Sequence, residues 1–222
     1  MMSSLIDRAA ILQSQGIFIG GAAGSFDIPG RKILMTLLDS GLYPNSTILD
    51  IGCGCLRAGY WLIHFLEKDC YFGIEPDTEM LLAGINTLME SEEVEKKNPR
   101  FNSNHDFDFT VFNQTFDFFV ARSIWTHACK IQISTMLDGF TQTAAEDGVF
   151  LASYIKASLL RPDFKGTRWV GRSHVSDEVG VVAHSLGWIE KECDKRGLMV
   201  DEIPDETLNI GNQTWLKITR QG

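Results

Sequence analysis

The run Ile48-Leu49-Asp50-Ile51-Gly52-Cys53-Gly54 decides how the rest of this chain is read. Its first half is a short apolar, β-branched stretch behind the Pro44-Asn45 turn, which predicts a buried strand over Thr47 to Ile51. Its second half places Gly52 and Gly54 on either side of Cys53. Glycine lets the backbone turn sharply and come close to a ligand where any side chain would block approach. A dinucleotide fingerprint, G-x-G-x-x-G, would need a third glycine at position 57, which is Arg57; the next glycine is Gly59. With Asp50 ahead of the first glycine the pattern is D-x-G-x-G, which turns the loop away from a pyrophosphate. A tight β-to-α turn with nothing bound would use the same glycines but has no need of Asp50.

The next strand candidate, Cys70 to Glu75, ends on a carboxylate beside Pro76. A carboxylate there can accept hydrogen bonds from both ribose hydroxyls of an adenosine. The bland alternative is a helix-capping or solvated acid. Taken together, the glycine loop and Glu75 point to an adenosine-bearing cofactor.

Outward from this pair the chain alternates strand and helix patterns. Ser3-Ser4 followed by Leu5, Ile6, Ala9, Ile11 and Leu12 predicts a capped first helix, and Pro29-Gly30 opens a second that runs to Gly41. Helical patterns over Tyr60–Glu67, Pro76–Leu88 and Ile131–Ala145 alternate with strand candidates Phe116–Ala121 and Gly148–Ile155, while Glu90–Arg100 is expected to be a solvated helix end and loop. A helix is expected over Asp177–Arg196, then strands Met199–Ile203 and Thr214–Thr219 as an antiparallel hairpin at the sheet edge. The alternation predicts an α/β fold: a doubly wound, Rossmann-like, seven-stranded, mostly parallel sheet. An N-terminal helical cap (1–42) would precede a cofactor-binding domain (43–222), whose long 156–176 segment is expected to be a lid or substrate loop.

The chain has 222 residues and a formal net charge of −9, with no Lys/Arg-rich run, so a nucleic-acid partner is not expected. The N-terminus lacks a signal-peptide pattern and no apolar run is long enough to cross a bilayer, so no membrane partner is expected. Cysteines 53, 55, 70, 129 and 193 are odd in number and lie mostly in core-like segments, which fits a reducing, cytoplasmic setting. Cys53 and Cys55 are too tightly spaced for a redox or zinc pair, and no metal is expected.

The run ILDIGCGCLRAGYWLIHFLEKDCYFGIEPD, from Ile48 to Asp77, resembles motif I and the acidic second-strand motif of class I S-adenosylmethionine (SAM)-dependent methyltransferases. The resemblance continues through HDFDF (105–109) and FDFFVARSIWTH (116–127), and more weakly through GVFLASY (148–154). It implies S-adenosyl-L-methionine as cofactor, with Asp50, Gly52, Cys53 and Gly54 at the methionine end and Glu75 with Pro76 at the ribose. It also implies Asp106 and Phe107 at the adenine, against the alternatives of a surface acid and a core aromatic. Arg57, after the glycine loop, would reach the methionine carboxylate, and Arg122-Ser123 would lie at the sheet's C-terminal edge; either arginine could instead be a structural ion pair.

Methyl transfer needs in-line placement of a nucleophile and, for a hydroxyl, a base. His127, following the fourth strand, is the candidate base, against a packing role; His105, His174 and His184 are weaker candidates, and His64 falls in an apolar helical face. Where amide- and base-modifying enzymes often carry an Asn/Asp-Pro-Pro-Tyr motif, this chain reads Ala121-Arg122-Ser123-Ile124-Trp125. That favours a small-molecule acceptor, with Trp125, Trp169, His174 and Trp215 as candidate pocket residues and Arg161, Lys165, Arg168 and Arg172 offering charge. The expectation is methyl transfer to an oxygen or nitrogen of a small, specialised metabolite. The rivals are an NAD(P)-dependent oxidoreductase, for which no Tyr-x-x-x-Lys pair is present, and a non-catalytic SAM-binding module.

Overall fold

A computed structural model describes residues 4–171, 180–204 and 212–222. Seven strands among them form one mixed sheet in the order β3-β2-β1-β4-β5-β7-β6. The chain divides into two compact units, Met1–Ser103 and Asn104–Gly222. Residues 1–42 lie inside the first.

In the first unit, α1 (Leu5–Ser14) opens on a capping box: Ser4 accepts from the Asp7 amide, and the Asp7 carboxylate accepts in return from the Ser4 amide. A 3-10 turn at Ala23–Ser25 leads into α2 (Asp27–Asp39). This helix starts two residues ahead of the expected Pro29. Proline sits without penalty in a first turn, where the amide has no intrahelical partner. Then follow β1 (Ile48–Ile51), α3 (Gly59–Phe65), β2 (Tyr71–Ile74), α4 (Thr78–Leu88), α5 (Ser91–Lys97) and β3 (Arg100–Asn102). The solvated helix end and loop expected at 90–100 is a separate helix, α5, followed by an edge strand that begins at Arg100. None of α5 is buried, so it carries no apolar period for a sequence to show.

β1 and β2 pair in parallel with Ile51 opposite Ile74, which brings the residues after both strands to one edge. Both strands are buried throughout, as helices on both faces require, hence their apolar composition, which only Asp50 interrupts. α1 packs on α4 through a core of Ala9, Leu12, Ile19, Phe26, Cys55, Met80 and Leu88. Close packing also dictates Gly84, where a Cβ would lie 2.5 Å from the Cys55 carbonyl oxygen.

The second unit contains β4 (Phe116–Ala121), α6 (Lys130–Thr143), β5 (Ala144–Tyr154), α7 (Leu186–Asp194), β6 (Leu198–Ile203) and β7 (Thr214–Arg220). β4 and β5 are parallel; β7 runs antiparallel between β5 and β6, giving the expected hairpin. Phe119 contacts Phe140 edge-on at 5.0 Å and Phe150 at 5.9 Å, anchoring the core. α7 is shorter than expected. Positions 177–179 of the expected helix lie outside the described residues, and residues 182–184 are held extended, with Val182 N donating to Thr126 O, His184 N to Ile155 O and Phe164 N to Ala183 O. No helix among the described residues is long and apolar enough to cross a membrane.

Candidate functional site

Gly52 and Gly54 both take left-handed backbone, φ +68° and +57°, so the chain reverses immediately after β1. The Gly52 and Cys53 amides donate to the Ile74 carbonyl at 2.8 and 3.1 Å, pinning the loop's start to the end of β2. Its far side is held by Glu75. That carboxylate is only 2% exposed; Oε2 accepts from Gly54 N and Oε1 from Asp77 N, both at 2.9 Å. Burial lifts the Glu75 carboxyl to about 7, against the two amides, which pull it down, and with the Asp77 and Asp50 charges, which push it up. Pro76, half-buried, separates the two amide-bound ends of this turn without an N–H of its own.

Beneath the loop, Asp50 is buried and accepts from the Tyr71 hydroxyl at 2.8 Å. Burial and the Asp50 charge keep that hydroxyl protonated, and burial does the same for the Cys53 thiol. Cys53, buried with its thiol held protonated, forms part of the loop's inner wall. Tyr71 had no signal in the sequence beyond its place in an apolar strand. The requirement for Gly59 explains its contact: a Cβ there would lie 2.7 Å from the Tyr71 oxygen.

Arg57 does not stand free as a fork after the loop. Nε donates to Phe26 O at 2.8 Å, Nη1 to Gly20 O at 2.5 Å and Nη2 to Ser25 O at 2.8 Å, with the guanidinium over the Phe26 ring. One side chain thus ties the residues behind the glycine loop to the segment between α1 and α2. A second arginine fastens α1: Arg8 donates to Glu90 at 2.8 Å and to the Leu88 carbonyl, and Glu90 also meets His64 Nε2 at 3.0 Å.

In the second unit, Asn104 exchanges side-chain hydrogen bonds with the Asp108 backbone, at 3.1 Å each, and so shapes the turn that carries Asp106 and Phe107. Asp106 is exposed. Phe107, at φ +60°, sets its ring 6.4 Å from Trp169, and Trp169 stacks on His127 at 5.5 Å. The fold therefore brings three expected residues, Phe107, His127 and Trp169, into one aromatic row. His127 Nδ1 lies 2.7 Å from the Val170 carbonyl, and Val170 N donates back to His127 O at 2.9 Å. Burial lowers the His127 pKa below its ordinary value, although the Val170 and Gly180 carbonyls oppose this. Gly171 follows at φ +127°, where a Cβ would lie 2.4 Å from His127 Nδ1.

At the end of β4 Arg122 is half-buried, and Ser123 is left-handed at φ +59°. Ser123 N donates to Ser153 Oγ, Ser153 Oγ to Gln213 Oε1 and Gln213 Nε2 to Ser123 Oγ, each at 2.7 Å. Ser153 and Gln213 enter this ring because β5 and β7 pair Tyr154 with Thr214, a register the sequence does not display. The three expected pocket tryptophans, Trp125, Trp169 and Trp215, are all buried. Trp125 and Trp215 are fully buried, Trp125 edge-on to Phe150 at 5.9 Å. His184 is likewise buried, with Nε2 at 3.1 Å from Ala128 O. His105 is exposed, while His174 and Arg172 lie outside the described residues.

No protein-family model matches the sequence, and no curated protein matches it. Solved structures do match in fold. Magnesium protoporphyrin IX methyltransferase from Synechocystis PCC 6803, with bound SAM, superposes with a TM-score of 0.62 at 13% identity over 90% of this chain and 81% of that one. A SAM-dependent methyltransferase from Clostridium acetobutylicum ATCC 824 gives 0.63 at 14% identity, over 87% and 91% of the two chains. The glycopeptide N-methyltransferase MtfA, complexed with SAM, gives 0.62 at 13% identity, over 86% and 94%.

Proposed function

We propose that this chain, which has the fold of SAM-dependent methyltransferases, binds S-adenosyl-L-methionine and transfers its methyl group to an oxygen or nitrogen of a small-molecule acceptor. The observation that carries the reading is the Gly54 amide bonded to Glu75 at 2.9 Å. A side-chain-free loop and a buried carboxylate are joined at one sheet edge, where open α/β sheets bind ligands.

The residues fit the cofactor. Glu75 places a carboxylate, the acceptor a ribose hydroxyl needs, directly after β2 and in contact with the glycine loop. The backbone at Gly52–Gly54 admits the methionine end, with Cys53 as an inert neighbour and Asp50 buried below. Asp106 and Phe107 suit the adenine, and Arg122 and Ser123 remain cofactor-side candidates. Bound there, the cofactor supplies a sulfonium-activated methyl group. The protein's part is placement and exclusion of water.

His127 is kept as the candidate base: the Val170 carbonyl holds the proton on Nδ1, which leaves Nε2 unprotonated, while stacking on Trp169 fixes the ring. Arg57 supports the loop from behind through its three carbonyls. A small acceptor is favoured by the acidic chain and by the absence of an Asn/Asp-Pro-Pro-Tyr motif after β4. Five buried, free cysteines suit a cytoplasmic setting.

Calorimetric titration with SAM and with S-adenosylhomocysteine is the test. Saturable heat for both is expected, and none at high micromolar ligand sinks the reading. NADH fluorescence enhancement on mixing would instead support an oxidoreductase.

A further inference from the structure

The segment after β5 leaves the fold and returns to it on a fixed base. Ala157 N donates to His184 O, Phe164 N to Ala183 O, and the Asp163 carboxylate accepts from Ser185 N. Between these anchors the chain turns over Leu159-Leu160. Ser158 N donates to Arg161 O at 2.8 Å, and Arg161 N to Ser158 Oγ at 3.2 Å. The two leucines at the apex are 103% and 99% exposed, the most exposed large apolar side chains among the described residues. An ordered turn that holds two adjacent leucines wholly in water is costly unless something covers them.

Charge indicates what does. Arg161, Lys165 and Arg168 are exposed in the same segment. Two carboxylates beside it are paired within the fold, Asp163 with Lys130 and Glu202 with Lys156 at 2.9 Å. Both leucines stand fully in solvent beside these cations, which suits a medium that yields around them and carries negative charge. We propose that this apex docks the protein on an anionic lipid surface, with Leu159 and Leu160 entering the acyl boundary and Arg161, Lys165 and Arg168 meeting the headgroups. The net charge of −9 does not forbid this, since physiological salt screens charges beyond about 8 Å. Anchoring by so small an apolar tip, helped by a few cations, is reversible and peripheral. It does not rest on the methyl-transfer reading.

The test is co-sedimentation of the full chain with vesicles of phosphatidylcholine alone and of phosphatidylcholine mixed with phosphatidylglycerol. Binding to the mixed vesicles and not to the neutral ones is expected, weakening as salt is raised. The double variant Leu159→Ser/Leu160→Ser should bind at least about tenfold more weakly, given the area it withholds. Its thermal melting should match the parent's, since the apex makes no core contact. Arg161→Glu/Lys165→Glu should lose the preference for anionic lipid. The proposal is overturned if the parent stays in the supernatant with both vesicles, or if the leucine variant binds as well as the parent. It is equally overturned if light scattering shows a parent dimer that the leucine variant lacks, which would mean that the leucines cover a second copy.

Discussion

Gly54 and Glu75, which follow different strands, are joined by a 2.9 Å hydrogen bond from the Gly54 amide to Oε2. The group assigned to the ribose is therefore also the group that sets the shape of the glycine loop. The register of β1 on β2, with Ile51 opposite Ile74, makes that contact possible.

Glu75 should couple ligand binding to pH. Its carboxyl is raised to about 7 from an ordinary 4.5, so between those values the folded protein holds a proton that the unfolded chain has released. The stability it contributes is fully present below pH 4.5 and is lost as pH rises through 7, on the order of 3 kcal/mol. Urea unfolding of the parent and Glu75→Gln across this range should show that slope in their difference. Ribose hydroxyls favour the carboxylate, so SAM affinity should rise with pH up to about 7, by at most about tenfold per unit, with proton release visible in buffers of different ionisation enthalpy. A flat affinity profile in the parent would rule out this role.

Two glycines in the first unit should fail in different ways. A Cβ at Gly54 meets nothing nearer than Met80 at 4.0 Å, so Gly54→Ala costs only the left-handed backbone, about 1–2 kcal/mol. If the loop backbone is what the ligand approaches, the added methyl group and the strained turn should lower SAM affinity by about tenfold. Gly84→Ala drives a Cβ into the Cys55 carbonyl and should cost about 1–3 kcal/mol by separating α4 from the loop. Melting curves and SAM titrations of both proteins separate the two effects.

Arg57→Lys should not rescue Arg57→Ala fully. A single ammonium cannot span three carbonyls that a guanidinium fork reaches from three nitrogens. Loss of these bonds should cost about 2–4 kcal/mol in the alanine variant. Hydrogen exchange should show the amides around Ser25 and Phe26 loosening first. Equal protection in the lysine variant and the parent would remove the fork from the account.

His127→Asn retains a donor that can face the Val170 carbonyl, and His127→Ala does not. If His127 positions the turn, the asparagine variant should keep Trp169 fluorescence and stability close to the parent's, while the alanine variant loses about 1–2 kcal/mol. Gly171→Ala should mimic the alanine variant, because its Cβ occupies the place of Nδ1. A base role would instead appear as loss of methyl transfer in the asparagine variant with stability intact.

Much of the fold could be read in the sequence because buried parallel strands are mostly apolar; Phe116–Ala121, apolar except at Asp117, has the bounds its composition predicted. α5 was not legible because it buries nothing, and α7 was mis-started because residues 182–184 take their conformation from partners at 126, 155 and 164. The same division runs through the site. Gly52, Gly54 and Glu75 are recognisable because their roles demand a residue type. The partners of Arg57 are backbone carbonyls, which leave no mark on composition. Trp125 and Trp215 were placed in a pocket because residue type does not say which way an indole faces.

The ring of Ser123, Ser153 and Gln213 has a fixed polarity. Its first member is a backbone amide, which can only donate, so Ser153 must accept and must pass its own proton to Gln213 Oε1. That choice orients the Gln213 amide and turns its nitrogen toward Ser123 Oγ. The Ser123 hydroxyl, having accepted, keeps its proton for an outside partner. Any ligand that meets this end of β4 meets a hydroxyl that can donate, with a second lone pair left for a donor of the ligand's own.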